Sequence, residues 1–573
     1  MLPTASFCII LIIMNHYSLK CHLLLIGMLG ILALPRPANA DSASPSQTTQ
    51  LAASSSTAPK ERFPLIVETR YGALKGKTDR DGTIAWLGIP YAAPPVGELR
   101  WKAPQPPAPW QGVRKATAFS PKAVQKNALT GGITGSEDCL YLNIWRPGDA
   151  ATGLPVYVWI HGGGNSTGAS NESTSYYGWG LASKARVVFV SINYRLGVFG
   201  WLYHPALREG ADPESASGNF GTLDIIQALR WIHDNIERFG GDPSRVIIAG
   251  ESAGAFNVLT LLASPRAQGL FHRAVIESGY RTETTPHSAQ AWALDLTTRL
   301  SERTGKSLAG LSSSEAASWL RSLPARTIMA ALKPETAGML SFPYPIWDGT
   351  VLPAEGFAAL ADAVNKVPII IGTNREESKI FMFLQRKNSR DPFYQAYAEL
   401  ASARWKAEGA DSIADLLRSA PDQPPVYVYR FDWGRYRTDG QNVLPGSYSR
   451  SLGAFHSLEI PFFLGTDSIH GILTALIFTS KNAPGRKDLQ SRMVSYVRNL
   501  AWTGDPNDSE PESALPAWPA WSLETPSSLV LDADLTKAQI SVIPGRTTGE
   551  TVESMLLQYP EPLQTRLREA MKR

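Results

Sequence analysis

The pentapeptide Gly-Glu-Ser-Ala-Gly at residues 250–254 fits the pattern G-x-S-x-G, which can hold a serine nucleophile. It lies between a short apolar run, residues 246–249, and a helix-like run that ends near residue 263. A sharp turn from strand to helix lifts the serine hydroxyl out of the sheet. There the helix N-terminus favours a developing negative charge. The pattern therefore predicts that Ser252 is a nucleophile, and the alternative is a serine that only caps the helix.

Three consecutive glycines, residues 162–164, follow His161 directly after another strand-like run, residues 156–160. Without side chains, the backbone N–H groups of such a stretch can point into a cavity. Donors of this kind stabilise the oxyanion that forms during acyl transfer. The N–H of Ala253, the residue after the nucleophile, is a further candidate donor. We therefore predict an oxyanion hole, and the alternative is a flexible glycine turn.

A serine nucleophile also needs an acid and a base, which follow it in the order acid, then histidine. Two candidate acids, Glu376 and Glu377, come after the strand-like run 368–371. His456 lies in the segment GAFHSLEIPFF and is the candidate base. From these residues alone both glutamates stay open, and a lone histidine is more often structural. The other histidines that remain candidates for the base are His161, His204, His233, His272, His287 and His470.

The elements that must position these residues are short, β-branched runs that alternate with helical patterns from residue 63 onward. Each run is typical of a strand that is buried on both faces. Between two of them, the apolar residues of segment 223–239 recur at steps of three and four, which indicates a helix with one apolar face. The strand-like runs are residues 156–160, 187–192, 246–249, 274–277 and 368–371.

This alternation predicts a doubly wound α/β fold, with a mostly parallel central sheet flanked by helices. Residues 281–340 also have a helical pattern, and we expect them to form a cap or an insertion. The chain contains no internal repeat, and no linker divides it after residue 62. Residues 63–573 are therefore expected to form a single catalytic domain, with a pocket lined by segments of about 281–350 and 381–450.

The N-terminal segment, residues 1–40, is typical of a signal peptide. Lys20 precedes an apolar run at residues 23–34, and Ala-Asn-Ala follows at residues 38–40. Met14 is an alternative start. We expect export to the periplasm or the medium, a disordered lead-in over residues 41–62, and no stable membrane span after cleavage. An uncleaved membrane anchor is the alternative.

Charge and cysteine content limit the partners and the cross-links. The formal net charge is +4 over 573 residues, and no dense Lys/Arg block occurs, so no nucleic-acid partner is expected. Of the three cysteines, Cys8 and Cys21 fall in the signal segment. The mature chain then contains only Cys139, which cannot form an internal disulfide.

Several long blocks resemble the type-B carboxylesterase/lipase family, which also contains the cholinesterases. FGGDPSRVIIAGESAG and EDCLYLNIW resemble the two signatures of this family. LGIPYAAPPVGELRW, NYRLGVFGWL and GAFHSLEIPFFLG match its other characteristic blocks in the same order. The likeness runs from about residue 71 to residue 502, which is most of the expected mature chain.

The resemblance implies an α/β-hydrolase fold and a serine carboxylesterase that cleaves small ester substrates without a metal or an organic cofactor. The implied triad is Ser252, Glu377 and His456, because the acid of the family closes a G-x-N-x-x-E block, here residues 372–377. A specialised hydrolase of a bulky ester, polyester or amide remains an alternative. A binding module without catalysis is a weaker one. The implied oxyanion donors are Gly163, Gly164 and Ala253.

The sequence departs from the family in two places. Ala123 replaces the cysteine that usually pairs with the counterpart of Cys139, so Cys139 should be a free, buried thiol. Asn165 follows the three glycines where the family often has an aromatic residue, so we expect a more polar pocket mouth. The short loop between residues 123 and 139 contains no tryptophan that could mark a choline site, so cholinesterase activity is not expected. The resemblance also implies two buried ion pairs, Arg100–Glu137 and Arg195–Asp224.

Overall fold

The computed structural model describes residues 62–127, 130–333, 339–469, 471–507 and 515–572. The predicted signal peptide, the lead-in up to residue 61, and His470 lie outside the described residues. Within these ranges, no helix is both long enough and apolar enough to cross a bilayer. From Arg62 onward the chain forms one compact unit.

An eleven-stranded sheet forms the centre of this unit. In chain order its strands are β1 (Lys77–Thr78), β2 (Thr83–Pro90), β3 (Tyr141–Pro147), β4 (Leu154–Ile160), β5 (Val188–Ile192), β6 (Gly241–Glu251), β7 (Arg273–Glu277), β8 (Ile369–Asn374), β9 (Val426–Phe431), β10 (Ser527–Ala533) and β11 (Ala538–Pro544). Across the sheet, the strands lie in the order β11-β10-β9-β8-β7-β6-β4-β5-β3-β2-β1.

Seven adjacent strands run parallel to one another, namely β10, β9, β8, β7, β6, β4 and β5. The remaining strands, β11 at one edge and β3, β2 and β1 at the other, pair antiparallel with their neighbours. The five predicted strands are β4 to β8, and all five are confirmed. Alternate residues of β4 belong to different hydrophobic cores: Val158 packs into one and Trp159 into the other. The central strands are therefore buried on both faces, as their continuous apolar runs predict.

Helices cover both faces of the sheet. The helix Phe220–Asn235 packs its apolar side into the core that contains Val158. The helix Ala483–Thr503 packs into the core on the other face, which contains Trp159. The predicted helical region at 281–340 is also confirmed by three helices. The longer helices of the described residues are Phe220–Asn235, Ala253–Ala263, Pro286–Thr304, Ser313–Ser322, Pro392–Lys406, Ser412–Ser419, Ala483–Thr503, Gly549–Leu556 and Glu561–Met571.

Two smaller sheets complete the fold. Ile66–Thr69, Gly72–Lys75 and Val113–Lys115 form a three-stranded sheet, and Gln125–Lys126 pairs with Ile133–Thr134. The side chain of Gln125 connects the second of these sheets to Gly168, in the segment that follows β4.

The ion pairs and the free cysteine implied by the resemblance are present. An Arg100 guanidinium nitrogen lies 2.5 Å from a Glu137 oxygen, and the Arg195–Asp224 pair has a corresponding distance of 2.7 Å. Cys139 is buried and unpaired.

Candidate active site

Ser252 stands in a strained turn between β6 and the helix Ala253–Ala263. Its φ is 58° and its ψ is −120°, in a region that residues with side chains rarely adopt. Its N–H donates to the carbonyl oxygen of Glu277 at 2.9 Å, which fixes the turn to β7. A Cβ on Gly254 would lie 2.0 Å from the carbonyl oxygen of Ile160, so only glycine fits there. The turn presents the serine at the carboxyl edge of the sheet.

The glycine stretch after β4 adopts the left-handed backbone that glycine tolerates. Gly163 has a φ of 104° and Gly164 a φ of 62°. A Cβ on Gly163 would lie 2.4 Å from the carbonyl oxygen of Thr167. Among the described residues, no acceptor takes the N–H groups of Gly163, Gly164 or Ala253. These three N–H groups are therefore available to an oxygen near Ser252.

The structure brings Glu377, and not Glu376, to His456. The Nδ1 of His456 lies 2.6 Å from Oε2 of Glu377, and both side chains are buried. The backbone N–H of Asn374 donates to the other Glu377 oxygen at 2.7 Å, which holds the carboxylate in place. Glu376 instead accepts from the buried ammonium of Lys379 at 2.7 Å.

The second nitrogen of His456 contacts a carboxylate that was not predicted from the sequence. Nε2 lies 3.0 Å from Oε1 of Glu251, the residue before Ser252. The hydroxyl of Ser457 donates to the same Glu251 oxygen at 2.9 Å. Within the described residues, the Ser252 hydroxyl forms no hydrogen bond. His456 therefore lies between two carboxylates beside the serine.

These carboxylates control the charge of the imidazole. Burial alone would lower the pKa of His456, but the charges of Glu251 and Glu377 and their hydrogen bonds raise it well above the ordinary value. The two carboxylates therefore favour the protonated form of the imidazole.

Two further buried acids lie behind this group. Burial, and then the charges of Glu251 and Glu377, raise the pKa of Glu459 to about 8. Burial, and then Glu459 and Glu251, raise the pKa of Glu277 well above its ordinary value. The Ser278 hydroxyl donates to Glu459 at 2.8 Å. Burial of these two carboxyl groups therefore favours their protonated forms.

The other described histidines have structural roles or lie at the surface. Burial lowers the pKa of His161 to about 4, and its Nδ1 lies 2.9 Å from the carbonyl oxygen of Gly162. Burial also lowers the pKa of His204 to about 4, and its Nδ1 accepts from a backbone N–H. His272 accepts from the N–H of Val246, and His233 and His287 are exposed. Of the described histidines, only His456 lines the same cavity as Ser252.

This cavity has a volume of about 470 Å³ and opens at the carboxyl edge of the sheet. Ser252, His456, Gly163 and Gly164 all line it. Such a position is usual for ligand sites of open α/β sheets. Its lining comes partly from the two segments expected to form the pocket, for example Tyr344 and Trp405.

The expectation for Asn165 was wrong. This side chain is fully buried and does not line the cavity. Its φ of 51° turns it inward, where its amide exchanges hydrogen bonds with the amide of Asn257 at 2.9 and 3.2 Å. The hydroxyl of Tyr194 also donates to its oxygen at 3.1 Å. Asn165 therefore fixes the glycine turn from behind and adds no polarity to the mouth.

The fold and this site can be compared with known proteins. The model of the carboxylesterase family matches residues 64–412. The chain belongs to the carboxylesterase family. It is a carboxylic ester hydrolase with the α/β-hydrolase fold, as the resemblance implies.

Individual relatives agree with this assignment. The para-nitrobenzyl esterase of Bacillus subtilis is 34% identical over 502 residues, which cover 82% of this chain and 95% of that protein. Carboxylesterase 5A of Felis catus is 32% identical, with 83% and 91% of the two chains covered. The crystal structure of the Geobacillus stearothermophilus carboxylesterase EST55 superimposes with a TM-score of 0.67 at 32% identity and covers 86% of this chain and 99% of that chain.

Proposed function

We propose that this carboxylesterase cleaves its esters through an acyl-enzyme on Ser252, with His456 as the base and Glu377 as the acid that orients it. The observation that carries the proposal is the 2.6 Å contact between Glu377 and His456 in the cavity that also exposes Ser252. Glu377 accepts from Nδ1 and so leaves Nε2 as the nitrogen that exchanges protons.

In the first half of the reaction, Nε2 accepts the proton of the Ser252 hydroxyl while the oxygen attacks the ester carbonyl. Nε2 contacts Glu251 in the structure, so it gives up this contact when it turns to the serine. The N–H groups of Gly163, Gly164 and Ala253 receive the oxyanion. His456 then returns the proton to the departing alcohol.

In the second half, water replaces the alcohol. His456 removes a proton from the water, the hydroxide oxygen attacks the acyl-serine, and the carboxylic acid leaves as Ser252 regains its proton. Glu377 stabilises the imidazolium in both halves. Besides the ester and water, these steps use only groups of the chain.

The test is the hydrolysis of p-nitrophenyl esters, from acetate to laurate, by the mature protein and by Ser252→Ala and His456→Ala. The proposal expects turnover by the wild type and loss of almost all activity in both variants, and the best chain length gives the size of the acyl pocket. Turnover that persists in Ser252→Ala would overturn the assignment of the nucleophile. Turnover that persists in His456→Ala would return the search for the base to the other histidines.

We also propose export, on the basis of the signal-like segment at residues 1–40. N-terminal sequencing of the protein from a periplasmic or culture-medium fraction tests it. A mature N-terminus at Asp41 is the expected result. Uncleaved protein in the membrane fraction would favour the anchor instead.

A further inference from the structure

Two lysines, Lys122 and Lys126, and two carboxylates outside the predicted triad, Glu172 and Glu251, line the cavity at Ser252. Glu251 contacts His456. The ammonium of Lys122 lies 3.4 Å from Glu172, and the two side chains are 28% and 39% exposed. In the part of the chain that the structure describes, no carboxylate pairs with Lys126. Apart from Glu251, which contacts His456, the lining therefore presents two ammonium groups against one carboxylate.

The backbone that carries these lysines is fixed to the predicted oxyanion hole. The side-chain amide of Gln125, which is buried, donates to the carbonyl oxygen of Gly168 at 2.8 Å and accepts from its N–H at 3.0 Å. The N–H of Thr167 in turn donates to Gly163 at 3.0 Å. The lysine-bearing segment is thus connected by hydrogen bonds to the glycine turn beside Ser252.

A different surface surrounds His456. The ring of Trp405 lies 4.9 Å from the imidazole, and the ring of Phe381 lies 5.4 Å from it. The two aromatic rings stack at 6.2 Å. Leu384, on the same short helix as Phe381, is 63% exposed and also lines the cavity. The cavity at Ser252 therefore combines aromatic and apolar surface with ammonium groups.

We propose that the preferred substrates are esters that carry an anionic carboxylate on one side of the scissile bond and an aromatic or bulky apolar group on the other. This inference rests on the proposed function of Ser252. Lys126 has no competing ion pair among the described residues, so a carboxylate that binds it need not displace an existing partner. The two ammonium groups also favour the approach of anionic substrates.

Two pairs of esters test the inference in both orientations. Monobenzyl succinate carries the carboxylate on the acyl side, and benzyl succinamate is its neutral, nearly isosteric control. Carboxymethyl phenylacetate carries the carboxylate on the alcohol side, and carbamoylmethyl phenylacetate is its control. The measured quantity is the ratio of kcat/KM for the charged ester to that for its neutral partner, at low and high salt.

We expect a ratio above one for at least one pair, and a smaller ratio at high salt. Lys126→Met should reduce the ratio by roughly fivefold, since one charge a few ångströms away in partly screened surroundings has an effect of this order. Glu172→Gln should increase the ratio, because it removes the opposing carboxylate. Lys537→Met, which changes an exposed lysine at the turn between β10 and β11, is the matched control and should leave the ratio unchanged.

The outcomes separate this inference from the proposed function. Ratios at or below one for both pairs overturn the inference, and so do ratios that neither Lys126→Met nor Glu172→Gln changes. If the neutral esters are hydrolysed in the same experiments, the proposed function still stands although the inference fails. If the wild type cleaves none of the four esters and no p-nitrophenyl butyrate, both proposals fail together.

Discussion

Nε2 of His456 lies 3.0 Å from the carboxylate of Glu251, the residue that precedes the proposed nucleophile. Nδ1 of the same ring lies 2.6 Å from Glu377. An imidazole between two carboxylates is stabilised in its protonated form. A base must be neutral to accept a proton, so Glu251 competes directly with the reaction that we assign to His456.

We expect Glu251→Gln to shift the pH dependence of activity. The activity should rise with pH as His456 loses its proton, and the pKa of His456 stands well above its ordinary value in part because of Glu251. Removing that negative charge lowers this pKa, so the rising limb of kcat/KM should move to lower pH. The measurement is a pH profile of kcat/KM with p-nitrophenyl butyrate. If the rising limb of the pH profile lies at the same pH in Glu251→Gln, Glu251 does not raise the pKa of His456.

The two adjacent glutamates should behave differently when each is changed to glutamine. Glu377→Gln removes the charge that stabilises the imidazolium, and we expect kcat to fall by about three to four orders of magnitude. Glu376→Gln should retain most of the kcat of the folded enzyme. It should instead lose stability, because it leaves the buried ammonium of Lys379 without its carboxylate, at a cost of about 3–5 kcal/mol.

Steady-state kinetics and urea unfolding of both variants check this contrast. A loss of kcat in Glu376→Gln as large as that in Glu377→Gln would contradict the assignment of the acid.

The turn that carries Ser252 should not accommodate a methyl group on Gly254. Gly254→Ala would place its Cβ 2.0 Å from the carbonyl oxygen of Ile160, a backbone atom that cannot move aside easily. We expect a loss of about 3 kcal/mol or more in the free energy of unfolding. Gly549→Ala is the matched control, because nothing lies within 4 Å of a Cβ at that position, and its Tm should stay the same or rise slightly. Equal Tm values for the two variants would contradict the described turn.

Cys139 should not react with thiol reagents in the native protein. It is buried and unpaired, and burial raises the pKa of its thiol well above the ordinary value. In the mature protein, we expect no reaction with 5,5′-dithiobis(2-nitrobenzoate) before unfolding and one reactive thiol per chain in urea. Rapid reaction of the folded protein, or loss of activity on treatment, would show that the thiol is accessible.

The central strands could be predicted from the sequence because their side chains are apolar on both faces, which gives continuous runs such as that of Leu154–Ile160. Strand β9 was not predicted, although it is largely buried. In β9 tyrosines alternate with valines and an arginine follows, so the run does not resemble an apolar strand. Its burial arises from the two neighbouring strands and could not be inferred locally.

The candidate site shows the same limit. The G-x-S-x-G pattern selected Ser252 and the order along the chain favoured His456, but the residues alone left other histidines, and both Glu376 and Glu377, open. The resemblance selects Glu377, and in the structure Glu376 lies against Lys379 and Glu377 against His456. Glu251 is part of the G-x-S-x-G pattern itself. Its contact with His456 joins residues that are far apart in the chain, so no local sequence pattern predicts it.

The most direct test of the proposed nucleophile is to trap the acyl-enzyme. The mature protein is mixed with p-nitrophenyl acetate, quenched in acid during turnover, and digested, and the peptides are analysed by mass spectrometry. Acyl transfer through Ser252 predicts an acetyl group on this residue in the wild type and none on the same peptide in Ser252→Ala. Ester turnover with the acyl group on another residue, or at an undiminished rate in Ser252→Ala, would contradict it.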